Sequence, residues 1–324
     1  MHVNTKLQAK KEFWRRWLLA SLFIIFLCIN GAAFIIGTII YKETSILHSQ
    51  LNAQKISGLK QLSDNSNKEK QWEDIAIASR FGYPLHATYI PNPTVTDRTL
   101  IFLHGFTGNR ATGLNYLDIY LNNGFNVLLV DSRAHGESGG NSVTWGNYEK
   151  HDLDQWVEWI GQRLPEGMIG IHGVSMGAAT ALMHAELNEK SKRVAFYIAD
   201  SSYSDFETLL ALQIGQQLNA PAKILTKLLL PYANIAAYLD SRFTFYQSSP
   251  IRSVQNITTP VLYLHGEADK IVPSYMSLDL YHATKGPRQI YLFSQTEHIA
   301  AIFNNHYQYG GVVQKFVQSI EQHS

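Results

Sequence analysis

From Trp72 onward, eight short β-prone runs alternate with longer stretches of helical periodicity, and that alternation admits few architectures besides a mostly parallel sheet flanked by helices. The runs are Glu73 to Ser79, Leu85 to Ile90, Thr99 to Leu103, Asn126 to Val130, Met168 to Ile171, Val194 to Ala199, Val261 to Leu264 and Gln289 to Phe293. The first two read as a hairpin-like pair. The later ones are rich in Val, Ile, Leu and aromatics, as strands buried on both faces require. Helices are expected over Leu114 to Asn122, Tyr148 to Arg163, Met176 to Asn188, Ser274 to Thr284 and Tyr307 to Gln322.

One connection is too long for a simple crossover. About 60 residues separate the strand ending near Ala199 from the one starting near Val261, against the dozen or so a crossover needs. A cap is expected there, at about residues 201–256, with Asp205 to Leu218 and Ala222 to Leu239 as helices interrupted by Pro221 and Pro231. Its Leu and Ile content suits a lid with an apolar underside, or a helical pair packed on the core.

The N-terminal region has a different character. Leu18 to Ile40 is almost unbroken apolar sequence without a charge, long enough as a helix to cross a hydrocarbon core of roughly 30 Å. Trp14, Trp17 and Tyr41 stand at its edges, where amphipathic rings favour headgroups. Lys6, Lys10, Lys11, Arg15 and Arg16 precede the run, whereas Lys42, offset by Glu43, is the only close cation after it. That bias implies a basic cytoplasmic segment at 1–17, a transmembrane anchor at 18–40, and a catalytic domain at 72–324 outside the cytoplasm. The alternative is a cleaved signal with Gly31-Ala32-Ala33 at the cleavage site and a secreted product; the apolar run continuing past those residues favours the anchor. Residues 41–71 turn polar and read as a linker, with helical spacing over Ile46 to Leu62.

Composition removes several function classes. Of 324 residues, 45% are hydrophobic and 16% charged, which fits a buried core, and the net charge of +1 gives no field for binding nucleic acid. The single cysteine, Cys28, allows neither an internal disulfide nor a thiolate metal cluster. Zinc-ligand spacing and phosphate-loop motifs are absent, so no metal or cofactor is expected.

Chemistry concentrates in four segments. Gly173-Val174-Ser175-Met176-Gly177 follows a strand run and precedes a helix-forming stretch, the context in which a serine on a sharp turn exposes its Oγ at the sheet's carboxyl edge. His104-Gly105-Phe106-Thr107-Gly108 follows the strand Thr99 to Leu103, which makes the N–H groups of Phe106 and Met176 the expected oxyanion-hole pair. Asp269, in the loop after Leu264, is the expected triad acid, with Asp200 after the strand ending at Ala199 as the alternative. His298, just beyond the last strand, is the expected general base. His104 reads as a buried structural residue, Glu267 as solvent-facing, and Asp131 to Gly140 as a turn held by its own hydrogen bonds.

On His104-Gly105-Phe106, Asp131 to Gly140, Gly173 to Gly177, His265-Gly266 with Asp269, and Glu297-His298, the chain resembles the α/β-hydrolase superfamily. In detail it looks like membrane-anchored bacterial members related to serine aminopeptidase and monoacylglycerol-lipase-like enzymes. The resemblance implies an eight-stranded sheet, a cap after the sixth strand, and cofactor-free hydrolysis through an acyl-enzyme. It leaves the substrate open. A small carboxylic ester is expected, with an amide or peptide, or acyl transfer to an alcohol, as alternatives on the same residues. A non-catalytic binding module is the alternative from another class.

Overall fold

The computed structural model describes residues 2–45, 72–217 and 222–322. Most of the expected linker, its helical stretch over Ile46 to Leu62, and Pro221 lie outside the described residues. In chain order the elements are α1 (His2–Ser45), β1 (Glu73–Ala78), β2 (Pro84–Ile90), β3 (Thr99–Leu103), α2 (Leu117–Asn122), β4 (Asn126–Val130), α3 (Glu149–Arg163), β5 (Ile169–Val174), α4 (Met176–Ser191) and β6 (Val194–Asp200). The cap follows as α5 (Phe206–Gln217), α6 (Ala222–Ser241) and α7 (Pro250–Val254). Then come β7 (Val261–Gly266), α8 (Tyr275–Ala283), β8 (Arg288–Phe293), α9 (Ala301–Asn304) and α10 (His306–Glu321). A 3₁₀ segment, Arg110–Tyr116, leads into α2 where the sequence suggests one continuous helix.

The strands form one eight-stranded sheet in the order β1-β2-β4-β3-β5-β6-β7-β8. β1 and β2 pair antiparallel, β2 pairs antiparallel with β4, and every other pairing is parallel. Central β3, β4, β5 and β7 are buried along their whole length, which explains their continuous apolar sequences. Side-chain alternation divides them between two layers. Ile101 and Leu103 face Leu153, Trp156 and Leu182, whereas Leu100 and Phe102 face Tyr116, Tyr309 and Phe316 on the other side.

Two features depart from the sequence reading. Pro231 stands inside α6 and does not end it. The lost hydrogen bond is offset because Leu230 and Ala233 around it are buried in the cap's own apolar cluster. α1, for its part, runs past the apolar stretch to Ser45, and Tyr41 and Ser45 are buried against the folded domain.

Candidate active site

The four segments converge at the carboxyl end of the sheet. β3 and β5 are neighbours there, and the chain leaves them toward opposite edges, so a crevice opens between their loops. Ser175 lies between β5 and α4 with φ 53° and ψ −115°, left-handed backbone that a non-glycine residue adopts only under constraint. The constraint is close packing: a Cβ on Gly173 would come within 2.2 Å of the Gly177 carbonyl oxygen, and one on Gly177 within 2.4 Å of the Leu103 carbonyl oxygen. Only glycine at both positions lets α4 turn back this tightly against β5 and the end of β3. The Ser175 N–H donates to the Asp200 carbonyl at 2.7 Å and ties the elbow to β6.

The half-buried Ser175 hydroxyl donates to His298 Nε2 at 2.9 Å, and His298 Nδ1–H donates to Asp269 Oδ2 at 2.6 Å. This chain of bonds fixes the imidazole tautomer, because the carboxylate can only accept at Nδ1 and so leaves the Nε2 lone pair to the serine. Asp269 is held from all sides. Its Oδ1 accepts the N–H groups of Ile271 and Val272, each at 2.9 Å, and its Oδ2 also meets His265 Nε2 at 3.1 Å. Burial acts to raise the Asp269 pKa, but bonds from His265, His298 and the Val272 N–H outweigh it and hold the carboxyl well below its usual range.

The sequence-derived alternatives separate by geometry. Asp200 is buried, accepts from Ser201 Oγ and Tyr309 Oη at 2.8 Å each, and makes no bond to His298. Burial pushes its pKa up, against those two bonds. His104 is fully buried, and its Nε2 accepts the Ser132 N–H at 3.0 Å. Glu267 is exposed. In the turn after β4, Asp131 receives the N–H groups of Arg110 and Glu137 and an ion pair from the Arg110 guanidinium. Gly105 lies against the elbow, where a Cβ would stand 3.3 Å from Ser175 Cβ, so Phe106 follows immediately beside Ser175 and Met176 opens α4.

His265 is the residue that the sequence reading left without a role. Its Nε2–H is shared between Asp269 Oδ2 and the Val272 carbonyl at 2.8 Å, while its Nδ1 accepts from Ser277 Oγ at 2.7 Å. It holds the Asp269 carboxylate in place. The available signal was a histidine four residues before the aspartate at a strand end. Among the described residues no group of His, Cys, Asp and Glu has the arrangement of a metal site.

A family model for the alpha/beta hydrolase fold matches residues 98–221. The Bacillus subtilis (strain 168) protein YqkD is 34% identical over 245 residues, covering 75% of this chain and 78% of its own. The chain belongs to the α/β-hydrolase family. Among solved structures, the Pyrococcus furiosus esterase Pf2001 superposes on this hydrolase with a TM-score of 0.61 and 25% identity, covering 78% of this chain and 93% of its own. The Rattus norvegicus lysophosphatidylserine lipase ABHD12 is 23% identical over 229 residues, 66% of this chain and 48% of that protein. The fold and its neighbours are those of hydrolases, and one N-terminal helix is long and apolar enough to be a membrane span or a signal sequence.

Proposed function

We propose that the chain is a serine hydrolase that cleaves a carboxylic ester through an acyl-enzyme, with Ser175 as nucleophile, His298 as general base and acid, and Asp269 as the carboxylate that fixes His298. The observation that carries this reading is the continuous hydrogen-bonded row from Ser175 through His298 to Asp269 at the sheet's carboxyl edge. Ser175 Oγ attacks the ester carbonyl carbon while His298 Nε2 takes its proton. The carbonyl oxygen becomes an oxyanion facing the N–H groups of Phe106 and Met176. Collapse expels the alcohol, which leaves with the proton from His298. Water then attacks the acyl carbon by the same route, and Ser175 regains its proton. No metal or cofactor enters any step.

The apolar surroundings support an acyl substrate. Met176 and partly buried Phe106 belong to one cluster with Trp145, Tyr203, Phe206 and Leu210. Of the cap carboxylates that could form an amine-binding subsite, Asp205 accepts from Thr208 and Asp240 from Tyr41 and Ser241, which leaves exposed Glu207 alone, too little for the acidic cluster such a subsite needs. The esterase and lipase activities named for two relatives agree with an ester. For location, α1 is a retained anchor at 18–40 with the catalytic domain at 72–324 outside the cytoplasm. Packing of Asn30, Gly37 and Tyr41 on the cap favours retention over cleavage.

Steady-state turnover of p-nitrophenyl esters of increasing chain length, beside the anilide of the same acyl group, tests the chemistry. Ester turnover that exceeds anilide turnover and vanishes in Ser175→Ala is expected; anilide turnover equal to or above ester turnover would move the assignment to an amidase. Protease added to intact cells should digest the domain, and digestion only after lysis would reverse the orientation.

A further inference from the structure

The membrane helix and the cap are joined. Tyr232 Oη of α6 donates to Asn30 Oδ1 of α1 at 2.5 Å. A Cβ on Gly37 would fall 2.6 Å from the Ala233 nitrogen, so the two backbones touch where α1 has no side chain. Tyr41 Oη donates to Asp240 Oδ2 at 2.7 Å and meets Ser241 Oγ at 2.6 Å. Gly37 and Tyr41 bracket the end of the apolar run at Ile40, and Asn30 lies about 15 Å deeper along the helix, so if α1 spans the bilayer α6 meets it over the outer half of the span, from headgroup level at Tyr41 into the hydrocarbon.

The remaining face of α6 is apolar as well. Leu228, Ile235, Tyr238 and Leu239 are 62%, 47%, 51% and 55% exposed and, with exposed Pro231, recur every three or four residues along one side. The opposite side is already filled, since Leu230, Ala233, Ala236 and Ala237 pack into the cap cluster that reaches Met176. A helix apolar on both sides, pinned to the outer half of a membrane span, is not a water-facing surface helix.

We infer that α6 is an interfacial membrane helix, its Leu228–Ile235–Leu239 face immersed in the leaflet on the catalytic domain's side, so that the cap over Ser175 rests on the bilayer. The continuity of this face with the exposed apolar surface of α1 identifies lipid as its occupant. The inference rests on α1 being the anchor.

The test uses the full chain carrying Cys28→Ser, reconstituted in phosphatidylcholine–phosphatidylglycerol vesicles, with single substitutions Ile235→Cys or Leu239→Cys labelled by an environment-sensitive fluorophore. Phe23→Cys on α1 is the lipid control, and Val95→Cys, on the catalytic domain, is the water control. Emission from positions 235 and 239 should shift to the blue and be quenched by lipids spin-labelled high on the acyl chain, as at position 23 and unlike position 95. Unlabelled Ile235→Cys should also resist a membrane-impermeant maleimide that modifies Val95→Cys. Quenching at 23 with none at 235 and 239 overturns the inference and leaves the anchor standing, including the outcome in which Ile235→Cys chains cross-link to one another. Absence of quenching at 23 overturns the anchor itself, and the inference with it.

Discussion

Asp269→Asn isolates what the carboxylate does for His298. The Ile271 and Val272 N–H groups both point at one oxygen of this side chain, so the amide of the variant settles with its oxygen toward them and its NH₂ toward His298 and His265. An NH₂ group cannot accept from His298 Nδ1–H. The imidazole therefore turns to the tautomer with its proton on Nε2, facing Ser175 Oγ with a donor in place of a lone pair. Loss of the base in this way costs about 10⁴ in turnover where the same geometry has been tested, about 5.4 kcal/mol of barrier. The assay is kcat on a short-chain p-nitrophenyl ester, with circular dichroism to confirm folding. Asp200→Asn is the matched control, because Asp200 is bonded to Tyr309 and Ser201 and makes no hydrogen bond to His298. A drop below tenfold in Asp269→Asn, or an equal collapse in folded Asp200→Asn, would refute the assignment.

Two further outcomes concern stability. Burial holds the Asp152 carboxyl up at about 6, against bonds from Ser79 and Tyr83. A raised folded-state pKa means stability that is present below the unfolded value near 4 and lost as pH rises through 6, on the order of 3 kcal/mol. Asp152→Asn should therefore gain on the parent between pH 4 and 7 in urea unfolding, and a constant difference across that range would contradict the sign. Arg110→Ala leaves buried Asp131 without its ion-pair partner and should lower unfolding free energy by about 3–5 kcal/mol, read by the same titration.

The sheet was legible because each strand's burial is written in its own residues. All eight strands lie where Val, Ile, Leu and aromatic runs placed them, within a few residues. β5 runs beyond Ile171 because His172, polar by type, is buried between the Tyr120 and Tyr309 hydroxyls. Partners of that kind come from distant positions and leave no local pattern. The same holds for His265 behind Asp269, and for the pairing of α1 with α6, which joins residues about two hundred positions apart through a few atoms. Pro231 misled because helix propensity is local, whereas the packing that retains α6 around it is not.

The central claim is that Ser175 is a nucleophile activated by His298 and Asp269. Fluorophosphonate labelling of the full-length protein in detergent, read by intact mass and peptide mapping, tests it most directly. One adduct per chain at Ser175, absent in Ser175→Ala and slowed in Asp269→Asn, is the predicted result. A folded protein that stays unmodified, or carries its adduct at another residue, would contradict it.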